Sequence, residues 1–311
     1  IDQNTFLLEP VSAENLVNNR NSRNFWCNVK GIGSWSLTGN AAEALSKKFT
    51  EMQDDSEVTA GFMWQKTTRE SKKYQLRGEI LSFIPVEKNV EVMLVTITNT
   101  GRMAQTVTPT AAIPLYGRSA DNIRDHRHVT SLLHRIETTD TGVLVTPTLS
   151  FDERGHQVNH MTYYCVGWSG NGEKPVDFYP TAEDFVGEGG NFERPYAIVK
   201  KAEGVKAGTR IEGLEAVGGL HFSEVTLEPE EECSYLIFTG ITEDIQEIRN
   251  LSKTYTTREM VLEELEKTKA YWQEKVNVAY HTGDSDFNQF MHWVSFQPIL
   301  RRIYGLSLIH I

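Results

Sequence analysis

Val90-Glu91-Val92-Met93-Leu94-Val95-Thr96-Ile97-Thr98-Asn99 is followed by Thr100-Gly101-Arg102 and then by Ala104-Gln105-Thr106-Val107-Thr108-Pro109-Thr110-Ala111. β-Branched residues crowd both runs and a glycine sits between them, so the pair reads as an antiparallel hairpin. Pro109 has no N–H to give a ladder, which predicts that the second strand lies at a sheet edge or bulges near its end. Comparable runs occur at Gly142-Val143-Leu144-Val145-Thr146, at Met161-Thr162-Tyr163-Tyr164-Cys165-Val166-Gly167-Trp168 and at Cys233-Ser234-Tyr235-Leu236-Ile237-Phe238-Thr239. Between residues 24 and 242 only 41–48, with Ala41, Leu45 and Phe49 at helical spacing, interrupts the strand-like text. Many strands without crossover helices imply antiparallel sheets, and a chain of this length buries them best as a large two-sheet β-sandwich.

The pattern changes after Gly240. Thr256-Thr257-Arg258-Glu259 has the form of a capping box, with the Thr256 hydroxyl on an orphan amide and Glu259 reaching back. Val261, Leu265, Thr268 and Trp272 then fall on one helical face, while Glu263, Glu264, Glu266, Lys267 and Lys269 take the solvated side. Asp284-Ser285-Asp286 offers a second cap before Phe287, Phe290, Met291 and Val294. The expected domains are a mainly β unit over 1–242 and a helical linker leading into a further helical domain over 243–305.

Composition narrows the function classes. The 311 residues carry a formal net charge of -11 from scattered acids, which repels nucleic-acid backbone and anionic lipid, so neither is an expected partner. Cys27, Cys165 and Cys233 are odd in number and show no CxxC or zinc spacing, the usage of a thiol-reduced, cytoplasmic protein. No stretch approaches the roughly 20 apolar residues of a membrane helix. Ile1-Asp2-Gln3-Asn4 has neither an initiator Met nor a signal-peptide pattern, so a start further upstream is expected. Leu306-Ser307-Leu308-Ile309-His310-Ile311 matches the translation of a transposase adapter used in shotgun sequencing, and 306–311 is expected to be an artefact of that origin.

Gly78-Glu79-Ile80-Leu81-Ser82-Phe83-Ile84-Pro85-Val86, leading into the strand that ends at Asn99, resembles the N-terminal sandwich of glycoside hydrolase family 94. Thr257-Arg258-Glu259 through Tyr271-Trp272 is similar to that family's linker helix, and 287–304 to the entry into its catalytic barrel. The segments 24–31 and 118–132 resemble most the 1,2-β-oligoglucan phosphorylase branch. The resemblance implies a galactose-mutarotase-like sandwich whose catalytic (α/α) barrel lies outside this chain. It further implies an inverting phosphorolysis that cleaves β-glucosidic bonds, with inorganic phosphate as co-substrate, a β-linked oligoglucan as substrate, α-glucose 1-phosphate as product and no cofactor. Homodimerisation is left open. Such a reaction needs one protonated carboxylic acid beside the leaving oxygen and, for the phosphate, a cradle of Arg, His, Ser or Thr; in the family both sit in the barrel, so no catalytic residue is expected in this chain.

The densest polar cluster is Arg118, Asp121, Arg124, Asp125, His126, Arg127 and His128, a candidate substrate or inter-domain loop. A solvated loop of mutually paired Arg and Asp explains it equally well. His126-x-His128 beside two arginines is a poor cation site, so no metal is expected. Gly187-Glu188-Gly189-Gly190 lacks a strand-to-helix context and a following Lys-Ser or Lys-Thr, and reads as a turn rather than a phosphate loop. Glu183 with Asp184, and Asp284 with Asp286, read as an acidic loop and helix caps. Trp26, Trp35, Trp64 and Trp168 read as core residues before sugar platforms. The alternative to an enzyme domain is a non-catalytic carbohydrate-binding sandwich, which has little use for two amphipathic helices that need a partner.

Overall fold

A computed structural model describes residues 5–6, 23–86, 88–119, 131–152 and 155–303. Six helices are described: α1 (Ala42–Ser46), α2 (Ala182–Val186), α3 (Tyr196–Lys200), α4 (Ile245–Thr254), α5 (Arg258–Lys275) and α6 (Ser285–Ile303). The remainder is dominated by strands, which form two principal antiparallel sheets.

The larger sheet has nine strands, ordered in space Arg210–Glu212, Arg135–Thr138, Gly142–Val145, Thr162–Ser169, Glu232–Thr242, Val90–Asn99, Leu76–Phe83, Trp64–Ser71 and Asp55–Gly61. Val90–Asn99 lies in its middle, between Glu232–Thr242 and Leu76–Phe83. Alternate side chains leave a strand on opposite faces. Met93, Val95 and Ile97 therefore join Ile80, Tyr163, Cys165 and Ile237 in the core between the sheets. Val92 and Leu94 join Tyr164, Val166, Trp168, Leu236 and Phe238 on the outer face, where Ile248 and Leu251 of α4 and Val261 and Leu265 of α5 cover them. The central strand is buried on both faces, which is why its apolar run is nearly unbroken rather than alternating.

The second sheet has six strands: Asp177–Thr181, Ala216–His221, Gln105–Leu115, Asn24–Val29 and Gly33–Ser36 in that order, with Val225–Leu227 also paired to Gln105–Leu115. Its outer face is closed by short helices, Trp26, Ala112 and Tyr179 packing with Ala41, Phe185, Ala197 and Ile198. Four layers result, with helices outside both sheets.

Two local expectations fail here. Val90–Asn99 and Gln105–Leu115 are not a hairpin, because they belong to different sheets. Asn99, fully buried, accepts from Gly101 N at 2.9 Å and donates through Nδ2 to Met103 O and Leu227 O, each at 2.9 Å. Its backbone meanwhile bonds Glu230 and Glu231, so the ladder continues on the large sheet while the chain itself crosses to the small one. Nor is Pro109 at an edge or a bulge. It sits mid-strand opposite Cys27 on one side. On the other it faces the gap between the partners Ala216–His221, which end at Thr110, and Val225–Leu227, which begin at Val107. No ladder donor is required there, and the Pro109 carbonyl accepts from Phe222 N at 3.0 Å.

α1 is shorter than its apolar spacing predicts: Ala41 is buried, but Phe49 lies beyond the helix at φ 66° and is 89% exposed. The N-cap of α5 is Thr257, one residue later than the capping box suggests, with its hydroxyl accepting from Met260 N at 3.5 Å. The predicted face of Val261, Leu265, Thr268 and Trp272 is buried throughout. Asp284 caps α6 as its sequence implies, its Oδ1 accepting from Asp286 N at 2.9 Å and Phe287 N at 3.0 Å. Trp272 of α5 and Val276, just past its end, pack on Phe296 of α6, whereas Phe287, Phe290 and Val294 remain exposed among the described residues.

Candidate functional site

The polar cluster leaves from the end of the small sheet's central strand. Past Leu115 the chain runs through Tyr116 and Gly117, the latter at φ 56°, into Arg118–Ser119, which pairs antiparallel with Thr5–Phe6. It returns at Ser131 and His134, both buried. His134 anchors this stem, its Nδ1 donating to the Leu214 carbonyl at 3.2 Å. A Cβ at Gly117 would stand 3.1 Å from His134 Nε2, tight against the same ring. Of the seven candidate residues, Arg118 is thus placed at the start of a two-residue strand. Asp121, Arg124, Asp125, His126, Arg127 and His128 lie outside the described residues.

The other polar groups singled out in the sequence have structural work. Glu183 and Asp184, expected in an acidic loop, lie instead in the first turn of α2, which Thr181 caps by accepting from Asp184 N at 3.0 Å and donating to Asp184 Oδ2 at 2.7 Å. Gly187 ends α2 at φ 73° and Gly189 follows at φ 68°, two left-handed positions that make this glycine run a turn. Trp26, Trp35 and Trp168 are buried in packed clusters, and Trp64 is half-buried beneath Lys269, whose Nζ lies 4.7 Å from the ring centroid.

Two charged constellations escape sequence reasoning, because their members come from distant segments. In the first, Glu43 of α1 receives Lys47 Nζ at 2.6 Å, Lys73 Nζ at 2.7 Å and the Tyr74 hydroxyl at 2.9 Å. Burial pushes the Glu43 carboxyl up, but these three donors outweigh it and hold the group down at about 2. Beside it the Trp35 indole donates to Asp54 Oδ2 at 2.9 Å, and Arg69 donates to Leu37 O at 3.2 Å. A carboxylate held this low stays ionised at neutral pH and pins α1 to the sheet; it is no proton donor. In the second, Asp177 and His221 are cross-strand partners with Oδ1 and Nδ1 2.6 Å apart, and the Tyr179 hydroxyl donates to Ala202 O at 2.6 Å. This group clamps the edge strand to its neighbour.

A nine-stranded and a six-stranded antiparallel sheet, packed face to face, backed by helices and continued by a long helical pair, define a β-supersandwich. The family model described as glycosyl hydrolase 94, supersandwich domain, matches residues 14–258, and the chain belongs to that family. The match runs past the last strand to the start of α5, in keeping with the packing of α4 and α5 on the large sheet. Membership puts the chain among the domains of carbohydrate-active enzymes. No curated protein sequence matches it. Among solved structures, it is similar to a bacterial glucoamylase complexed with acarbose at 10% identity and a TM-score of 0.46, over 83% of this chain and 32% of that one. It is also similar to a family GH92 α-mannosidase from Bacteroides thetaiotaomicron at 11% identity and a TM-score of 0.40, over 84% of this chain and 29% of the other. The chain therefore spans about a third of the length of these structures.

Proposed function

We propose that the chain is the sandwich and linker of an inverting glycoside phosphorylase that cleaves β-glucosidic bonds, with β-1,2-oligoglucans as substrate, in the cytoplasm. The single observation supporting this is the family match over residues 14–258. In such a reaction a protonated carboxylic acid gives its proton to the glycosidic oxygen as the C–O bond breaks. A phosphate oxygen attacks the anomeric carbon from the opposite face, and α-glucose 1-phosphate leaves. The acid and most of the phosphate cradle are assigned to a helical barrel of the parent enzyme, and the loop carrying Arg118, Asp121, Arg124, Asp125, His126, Arg127 and His128 to the margin of its substrate site.

The test is incubation of the parent enzyme with β-1,2-glucooligosaccharides and inorganic phosphate, followed by NMR of the products. Release of α-glucose 1-phosphate is expected. Phosphate-independent release of free glucose would replace phosphorolysis by hydrolysis, and no turnover of any β-glucan would favour a binding module. Substituting His126 and Arg127 by Ala in the same enzyme is expected to raise the KM for phosphate or glucan about tenfold, the scale of one lost charge-assisted hydrogen bond. Unchanged kinetics would remove the loop from the site.

A further inference from the structure

We propose that the cleft between the strand turn at 61–64 and helices α5 and α6 binds an uncharged saccharide segment. The inference rests on the carbohydrate reading above and deepens it. The cleft has a volume of about 490 Å³, within the ~300–1,000 Å³ typical of small-molecule sites.

Its walls are aromatic and held in place. Trp293 is 43% exposed and stacks on Phe62 with ring centroids 5.8 Å apart and planes 23° apart. Phe62 in turn stacks on buried Phe296 at 4.8 Å and 19°, and Trp272 meets Phe296 edge-on at 5.2 Å. The exposed indole is therefore the outermost ring of a fixed stack, not a freely turning side chain. Trp64 forms a second wall, and a Cβ at Gly61 would fall 2.3 Å from its Nε1, so only glycine permits that placement.

The polar groups suit hydroxyls rather than charges. Gln273 and Gln289 line the cleft, are exposed, and have no side-chain partner among the described residues. Each presents both an amide donor and an acceptor, as a sugar hydroxyl requires. His292 donates through Nε2 to Val276 O at 3.0 Å, so that ring nitrogen is already engaged by the backbone. Among the described residues Lys269 is the one lysine, arginine or carboxylate in the lining, and Glu266 pairs with it at 2.8 Å. Among the described residues a phosphate or nucleotide finds no unpaired lysine or arginine here. Flat apolar faces beside neutral amides match the alternating C–H face and hydroxyl rim of a pyranose ring.

The test titrates the full chain with β-1,2-glucooligosaccharides, reading tryptophan fluorescence and saturation-transfer NMR. Saturable binding with a Kd of about 1 mM is expected, weakened about tenfold in Trp293→Ala and in Gln289→Ala. Trp293→Phe keeps the ring stack and should retain most of the affinity, so a misfolded alanine variant does not end the test. Three outcomes overturn the proposal: no response to β-1,2-, β-1,3- or β-1,4-linked oligomers; binding unchanged in both alanine variants; or wild-type self-association that Trp293→Ala abolishes, which would assign the face to polypeptide. Glucose 1-phosphate release by the parent is read separately, so binding without phosphorolysis sinks only the proposed reaction, and phosphorolysis without binding sinks only this site.

Discussion

Asn99→Ala should destabilise the chain far more than a polar-to-small change in a loop. The side chain is fully buried and engages three backbone groups, Gly101 N, Met103 O and Leu227 O. The bonds to Gly101 and Leu227 lie in buried surroundings, where water does not replace the lost partner. With ~1–3 kcal/mol for each buried group left unpaired, two such groups give a loss of about 4 kcal/mol. Asn99→Asp separates the contributions. It keeps the acceptor for Gly101 N but, once ionised, sets a carboxylate against two carbonyl oxygens. Because the folded state then favours the protonated acid, stability relative to wild type falls as pH rises through the new group's titration. Urea unfolding followed by tryptophan fluorescence measures both variants. A loss below about 1 kcal/mol for Asn99→Ala would refute the claim that this side chain ties the crossover to the second sheet.

Gly218→Ala should cost about 1–3 kcal/mol in the same assay, since its Cβ would lie 2.3 Å from that of Cys165 across the two sheets; a neutral result would show that the sheets separate there at little cost. Glu43, held down at about 2, contributes stability that is complete above the ordinary carboxyl range and is lost as pH falls from about 5 toward 2. Its side chain is 39% exposed, so solvent screening keeps the gain small; Glu43→Gln should flatten that part of the acid limb, and an unaltered limb would count against the cluster. Burial pushes the thiols of Cys27 and Cys165 up, and burial with Glu231 and Glu232 nearby takes Cys233 up to about 11 despite a hydrogen bond with Tyr235. None should react quickly with a disulfide reagent at pH 7, while all three should react in denaturant.

Strand-rich segments were legible wherever burial and β-branching coincide, as at Val90–Asn99 and Thr162–Ser169. Their partners were not. A five-residue link such as 100–104 reads as a hairpin whether the chain folds back within a sheet or crosses to the next, and Asn99 decides between them through Leu227, 128 positions away. Pro109 misleads for a similar reason, since its tolerance depends on a gap between two strands distant in sequence. The helical face of α5 was legible from 3.6-residue spacing, yet its cover, the outer face of the large sheet, was hidden in strands that give no alternating signal when both faces are buried. For the candidate site, local cues identified the cap at Asp284 correctly but missed the one at Thr181, since Glu183 and Asp184 read as an acidic loop rather than as a helix start. Glu43 with Lys73, and Asp177 with His221, are joined only by the fold.

α5 gives this architecture its functional consequence. Its 18 residues span about 27 Å at 1.5 Å per residue. Val261 and Leu265, in its first half, are buried against the large sheet, while Trp272 in its last turn and Val276 at its C-cap are buried on Phe296 of α6. One continuous hydrogen-bonded rod thus transmits the orientation of the sandwich to the aromatic stack that ends in Trp293. The turn at 61–64, at the margin of the same sheet, meets that stack through Phe62. Sheet margin and helix α6 are therefore two ends of a closed loop of contacts, and neither can shift without breaking the Phe62 stack or the Trp272 packing. A cleft formed between two such fixed walls is preorganised, which is the condition under which a few weak stacking and amide contacts suffice to hold an uncharged ligand.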